Sequence, residues 1–405
     1  MKIRNILYLA MAVATFTACS SENDPANEAT KGNATLSISV SSLVKSSTKA
    51  VKASTELAAA TTLTGETNIK DLQILVFQNN KLAGSATVNH NALLTDSLSV
   101  SGLNTGAARF IVIANAGTIT DIPTAVDGNY NVVLPTAEFS SDNLPMCSAW
   151  TDITLNAGDN YYGYSTSNTA IPAASATVQR VHDNDPLPLV RNVARVDLVG
   201  VSLDVNAAAD NYTSGTATFA LESVFVNHAA VKCNSLGVVD AATTYFTGLT
   251  AGDANIVLGE TSQTSLVEAS AITTTQTIGT KATVAAPHAY FYILPNGSKN
   301  ALSGTNAYAT SLVVKGSFSM NATKTGGSTE VISSKVGYYP VIIGVDGLTG
   351  GATQTSPVIK PNTIYQITLT IAGAGKTTPD GGERANLFVN CKVQDWSKVE
   401  QAVVI

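Results

Sequence analysis

The chain has 405 residues and a net charge of −6, and charged residues make up 13% of it, about half of the roughly 25% in an ordinary globular protein. A surface so sparse in cations offers no basic face for nucleic acid, and the Thr, Ser, Ala, Gly and Val that replace charge favour strands and turns over long surface helices. At roughly 150 residues per domain the length accommodates two domains, each with a core of its own.

The first element is a targeting segment. Lys2 and Arg4 precede an apolar run from Ile6 to Val13, which is too short to span a bilayer. The run ends in Phe16-Thr17-Ala18-Cys19, the form of a bacterial lipobox with Cys19 as the lipidated residue. A polar stretch from Ser20 to Pro25 follows. Then Ala34-Thr35-Leu36-Ser37-Ile38-Ser39-Val40 alternates apolar and small polar residues. That period predicts a strand with one buried face, carried by Leu36, Ile38 and Val40. Lys45, Lys49 and Lys52 come next, where a protease has access. Loss of residues 1–49 removes five basic and three acidic residues and moves the net charge from −6 to −8.

Strand patterns continue at Asp71–Phe77, Ala108–Ala114, Val193–Val199, Ala289–Leu294, Ser311–Phe318, Tyr338–Ile343, Ile364–Ile371 and Ala385–Val393. Turn clusters such as Gln78-Asn79-Asn80 and Thr325-Gly326-Gly327 separate them, and the series reads as β-sandwich architecture. Thr264–Ile272 is the best helical stretch of a weak set. Asp183-Asn184-Asp185-Pro186-Leu187-Pro188 reads as a linker, which sets the domains at 50–186 and 187–405. At the far end Val399, Val403 and Ile405 fall two or four apart in a tail with neither cap nor helix, the pattern of a spare strand.

Groups that carry chemistry are few. His90, His182, His228 and His288 show no metal-ligand or catalytic spacing and read as loop or surface residues. No G-x-S-x-G elbow occurs. Gly373-Ala374-Gly375-Lys376-Thr377 imitates a phosphate loop, but Thr370 stands where its first glycine belongs and Pro379 follows where a helix must begin, so it reads as a flexible hairpin turn. His182–Asp185 lacks the glycine turn and distal Glu of a calcium loop. Tyr161, Tyr162 and Tyr164 suit a sandwich edge better than a sugar-stacking platform. With Cys19 acylated, Cys147, Cys233 and Cys391 cannot all pair. Cys391 alternates with Leu387, Val389 and Val393 and reads as a small buried hydrophobe, with a Cys233–Cys391 bridge as the alternative. No enzyme, metal or cofactor is expected.

The C-terminal third carries a resemblance. Tyr338-Tyr339-Pro340-Val341, Asn362 to Gly375 and Ala385 to Trp396 resemble FimA-type fimbrillin, the major fimbrium subunit of Bacteroidales and of type V pili. Asn33–Ser37, Lys49-Ala50-Val51, Tyr162-Gly163-Tyr164 and Val193–Val196 agree in order. The resemblance implies an all-β chain of two transthyretin-like Greek-key β-sandwich domains in tandem. It also implies a lipoprotein signal peptide at 1–18 and a propeptide with a removable strand at 19–49. A trypsin-like surface protease would cut between Lys49 and Ala50, and the last strand of the next copy would fill the vacated groove. The family's arginine at the cut is Lys49 here, which leaves Lys45 and Lys52 as alternative sites.

On this basis residues 33–44 are expected to be a plug and 397–405 a donor. The product is a shaft subunit of a fimbrium on the cell surface, its precursor held in the outer membrane. Its partners are further copies in a linear polymer together with accessory anchor and tip subunits. The alternatives are a monomeric surface lipoprotein that binds glycans or proteins, and an anchor subunit of the same fimbrium.

Overall fold

The structure is a computed structural model. It describes residues 32–42, 63–89 apart from 64, 98–119, 139–231 apart from 208 and 210, 233, 245–256, 260–284, 289–295, 309–344, 359–379 and 387–395. Residues 32–405 form one compact unit.

Among the described residues the first half holds eleven strands: β1 (Ala34–Ile38), β2 (Val40–Ser42), β3 (Asp71–Gln78), β4 (Lys81–Asn89), β5 (Leu98–Leu103), β6 (Gly106–Ala114), β7 (Met146–Cys147), β8 (Thr151–Leu155), β9 (Gly158–Tyr162), β10 (Val178–Val181) and β11 (Leu187–Arg191). They make two sheets, one in the order β10-β9-β1-β5 and one in the order β2-β11-β7-β6-β3-β4 with β8 also on β6. Leu36, Ile38, Leu98 and Val100 of the first sheet share a buried apolar cluster with Leu72, Ile74, Phe110 and Val112 of the second, so the two face each other as a sandwich. Asn79 and Asn80 both have positive φ (50° and 61°) between β3 and β4. That two-residue turn suits the twist of a hairpin, and asparagine tolerates it.

The second half continues with β12 (Ala194–Leu203), β13 (Tyr212–Asn227), β14 (Ala229–Ala230), β15 (Tyr245–Thr247), β16 (Glu260–Ser262), β17 (Val267–Thr277), β18 (Ala282–Val284), β19 (Ala289–Ile293), β20 (Ser311–Lys324), β21 (Thr329–Ile342), β22 (Thr363–Ile371) and β23 (Leu387–Asp395). One sheet runs β18-β12-β22-β23, with β19 also on β12; the other runs β17-β13-β20-β21. Val196, Leu198, Ile367 and Leu369 of one pack against Phe219, Val224, Val314 and Phe318 of the other, a second sandwich. A small third sheet joins β14, β15 and β16.

Continuous apolar runs mark where the halves meet. In β3 and β6, alternate residues (Ile74, Val76, Phe110, Val112) fill the first sandwich. The intervening Leu75, Phe77, Ile111 and Ile113 join a different cluster with Val193, Cys233, Tyr292 and Ile364 of the second half. Both faces of these strands are covered, which is why they lack polar alternation.

A buried ionic knot lies beside that apolar seam. Arg195 donates from Nη1 to Glu66 Oε1 at 2.7 Å, and from Nε and Nη2 to the two Asp197 oxygens at 2.8 and 2.9 Å. Tyr292 Oη donates to Glu66 Oε1 at 2.8 Å, the Leu63 N–H to Glu66 Oε2 at 2.8 Å, and Arg191 Nε to the Glu66 carbonyl at 2.9 Å. Burial alone would depress Arg195, but Asp197 and Glu66 outweigh it and hold the guanidinium above its ordinary value. Arg191 is pulled down to about 10, chiefly by burial.

Several sequence expectations are corrected here. Thr264–Ile272 is not a helix: a single 3-10 turn at Thr264–Leu266 leads into β17, whose Ile272-Thr273-Thr274-Thr275 run is β-branched and suits a strand. Leu187–Arg191 pairs with β2 and β7 and thus belongs to the first sandwich, not to the start of the second. His228 is buried, with Nδ1 on the Glu260 carboxylate, rather than at the surface. The Gly373–Thr377 stretch is pinned, not free: Lys376 bridges to Tyr338, and a Cβ on Gly375 would come within 2.8 Å of the Tyr339 ring. Cys147 and Cys233 are buried free thiols, so Cys233 makes no bridge to Cys391.

Candidate functional site

β1 occupies the middle of its sheet. It pairs parallel with β9 along Ala34↔Gly158 to Ile38↔Tyr162 and antiparallel with β5 through Leu36↔Val100, Ser37↔Ser99 and Ile38↔Leu98. Leu36 is 0% exposed, with Ala34 and Ile38 at 1% each, and Val40 packs on the same cluster from its edge. A first strand normally sits at an edge or frays, whereas this one is flanked on both sides and roofs the core.

The segment also changes sheet. At Ser39 its N–H still donates to the Tyr162 carbonyl on β9 at 2.9 Å, while its own carbonyl already accepts from the Leu187 N–H of β11 at 2.9 Å. Beyond it β2 runs parallel to β11 along Val40↔Leu187. One short stretch therefore completes both layers of the first sandwich.

The walls of the slot come in part from Tyr162-Gly163-Tyr164, which the sequence marks, and in part from residues it does not. Gly163 has φ +80°, and a Cβ there would meet the Pro186 Cα at 2.8 Å and the Ser39 carbonyl at 3.2 Å, so only glycine lets the chain pass this closely. Tyr162 and Tyr164 are buried, and the Tyr162 ring packs edge-on against Phe110 at 5.5 Å between centroids. Ser37 and Ser99 share a hydrogen bond at 2.8 Å.

Asn160 is 0% exposed beside Leu36. Its Oδ1 accepts from the Asn156 N–H at 2.9 Å, and its Nδ2 donates to the carbonyls of Asn156 at 2.9 Å and of Thr35, on β1 itself, at 3.1 Å. Only its type and its place in Asp159-Asn160-Tyr161-Tyr162 hinted at this: a polar residue at a position where the strand period demands an apolar one.

Of the residues expected from sequence, Leu36, Ile38 and Val40 fall in this slot. Cys19, Lys45, Lys49, Ala50, Lys52, Val399, Val403 and Ile405 lie outside the described residues. The backbone of β23 pairs antiparallel with β22, setting Cys391 opposite Ile367. No cluster of three or more metal-ligating side chains occurs among the described residues. Thiol chemistry is suppressed as well. Burial pushes Cys233 up to about 12 and Cys147 well above the ordinary thiol value, Cys147 being raised further by its neighbour Cys233.

Two family models match in succession. One, described as the major fimbrial subunit protein FimA, covers residues 34–191, and the other, described as the FimA4 pilin C-terminal domain, covers residues 261–396. The chain belongs to the FimA fimbrillin family. The first FimA match runs from the start of β1 to the end of β11, the same span that builds the first sandwich. The major fimbrium subunit FimA type-3 of Porphyromonas gingivalis is 25% identical over the full length of both chains. The type-4 subunit of strain W83 is 26% identical over 99% of each. Among solved structures, a fimbrilin from P. gingivalis W83 aligns with a TM-score of 0.59 at 22% identity, covering 92% of this chain and 100% of that one. A Parabacteroides distasonis protein named for cell adhesion aligns at 0.62 and 19% identity, covering 90% and 99%. These alignments share the β-sandwich fold.

Proposed function

We propose that this chain is the structural shaft subunit of a surface fimbrium and works by exchange of its first strand. In this reading the precursor is exported as a lipoprotein acylated at Cys19 and held in the outer membrane. A trypsin-like surface protease cuts at Lys49–Ala50, with Lys45 and Lys52 as neighbouring choices. β1 and β2 then leave, and residues 397–405 of the next copy take their place through Val399, Val403 and Ile405.

The observation that carries the reading is the place of β1: a terminal strand, separable by one cut, that is central in its sheet and covers the core. Its departure strips backbone partners from β5, β9 and β11 and uncovers Leu98, Val100, Phe110 and Tyr162, a surface that recruits another strand. The three groove-facing apolar side chains of the donor at about 1.5–3 kcal/mol each give roughly 4.5–9 kcal/mol gross, against about 1–2 kcal/mol per residue for ordering the donor. Backbone pairing on both flanks adds to the gain. Before the cut, tethering keeps β1 at high effective concentration and blocks a competitor.

The test is deletion of residues 397–405 followed by digestion with a lysine-specific protease. Cleaved but monomeric protein is expected; ladders of normal length reject the reading. Anchor and tip subunits, which would cap such a polymer, are the remaining partners it implies.

A further inference from the structure

We infer that Gln401 of the incoming copy sits beside Asn160 of the receiving copy and thereby fixes the register and direction of the exchanged strand. This rests on the strand-exchange reading above and adds to it the residue that reads alignment.

The groove-facing positions of the leaving segment are Ala34, Leu36, Ile38 and Val40, and the tail offers Val399, Gln401, Val403 and Ile405 at the same period of two. One member of the second set is polar, and a buried amide without a partner is costly. The slot contains one matching feature. Asn160 is fully buried next to the Leu36 position, its Oδ1 accepts a single N–H, from Asn156, and its Nδ2 donates to the backbone carbonyl at position 35. Setting Gln401 on the Leu36 position gives its side-chain N–H the second lone pair of Asn160 Oδ1. The backbone carbonyl of Glu400 then replaces that of Thr35. Val399 and Val403 take the Ala34 and Ile38 places, and Ile405 ends on the half-buried Val40 place.

Other alignments fail on the same groove. A slip of two residues one way puts Gln401 on the Ala34 position, opposite Gly158 and Leu103, where only 1% of the alanine is exposed. A slip the other way puts it on the Ile38 position, between Leu98 and the Tyr162 ring that packs on Phe110. Reversing the strand with Gln401 kept beside Asn160 moves Ser397 onto the Val40 place and leaves Ile405 beyond the slot. Specificity of this kind, a lone polar residue in an apolar seam, sets register in other paired elements at some cost in affinity.

The experiment is disulfide mapping in the full-length chain carrying Cys391→Ser. Ser37 and Ser99 lie side by side, so Ser37→Cys with Ser99→Cys must cross-link within the uncut precursor and serves as the control. After lysine-specific cleavage, Ser99→Cys is paired with Glu400→Cys, Ala402→Cys or Val404→Cys and oxidised by air with a copper catalyst. The proposed register puts Ala402 on the Ser37 position, so the Ala402 pair should exceed the other two by about tenfold, the population ratio expected for an unpartnered buried amide in the slipped forms. In a Gln401→Leu background the polymer should persist while cross-links spread to the Glu400 or Val404 pair. Dominance of the Glu400 or Val404 pair with Gln401 present, or an unchanged single register after Gln401→Leu, overturns the inference and leaves strand exchange standing. Polymers that form with no interchain cross-link at any of the three positions, and that survive deletion of 397–405, overturn both.

Discussion

Leu36→Ala is the sharpest probe of the slot. Leu36 is 0% exposed between Val100 and Asn160, in contact with the core on its inner face. Truncation removes about three methylene equivalents, worth roughly 2.4 kcal/mol at 0.8 each, and leaves a cavity that the two flanking strands hold open. Leucine-to-alanine changes at such sites cost about 2–5 kcal/mol in all. Urea unfolding of the uncut precursor should therefore show a stability loss in that range with an unchanged slope. The same variant offers an internal control, because under the proposed cleavage the processed protein no longer contains residue 36. Once the leader has been cut and displaced, variant and parent become the same molecule and should polymerise to the same end point. The displacement step should run about thirtyfold faster or more, since every 1.4 kcal/mol is tenfold. A precursor whose stability changes by less than about 0.5 kcal/mol, the scatter of ordinary surface substitutions, would refute the claim that this strand seals the core.

Three further outcomes are expected. Arg195→Met should destabilise the chain by about 3–5 kcal/mol in urea unfolding, because Glu66 and Asp197 become unpaired buried charges; the companion triple change that also replaces Glu66 and Asp197 with apolar residues should recover much of the loss. Cys147 and Cys233 should resist alkylation in the native state at pH 8–9 and react only at the rate of unfolding, as mass spectrometry of the labelled protein would show. Alkaline pH should destabilise the fold. Tyr212 is raised to about 12 by burial and by Glu330, and Tyr292 and Tyr339 are raised by burial, so the stability tied to their protonated forms is whole below the ordinary tyrosine value of 10.0 and is lost as pH climbs past it. Phenolate absorbance should then rise together with loss of β structure, and non-cooperative titration of all tyrosines near their ordinary value would contradict the burial described.

The strands were legible where one physical rule governed them. Ala34, Leu36 and Ile38 show the period of a one-sided strand, and Ile74 to Phe77 the continuous apolarity of a two-sided one. Thr264–Ile272 misled because its serines and alanines carry little periodic signal, and pairing with β13 decided the outcome. Leu187-Pro188 looked like a boundary because proline is rare inside sheets, yet β11 accommodates Pro188 opposite Ser41 of the short strand β2. The Glu66–Arg195–Asp197–Tyr292 knot was hidden for a different reason. Its members come from a polar loop and from strands far along the chain, and only Arg195 and Asp197, two apart on one face of an apolar strand, left a trace. Asn160 was equally silent, since a single asparagine near a turn reads as part of the turn.

The flanking of β1 on both sides also bears on how such a filament would answer a pull along its axis. For a pull directed along the strand, a segment seated between β9 and β5 carries the load on hydrogen bonds that run crosswise to it. Such a pull works in shear on two rows of bonds at once, where a strand at a sheet margin would offer a single row. A joint made in this slot would yield all together or not at all, the mechanical behaviour that suits a load-bearing fibre.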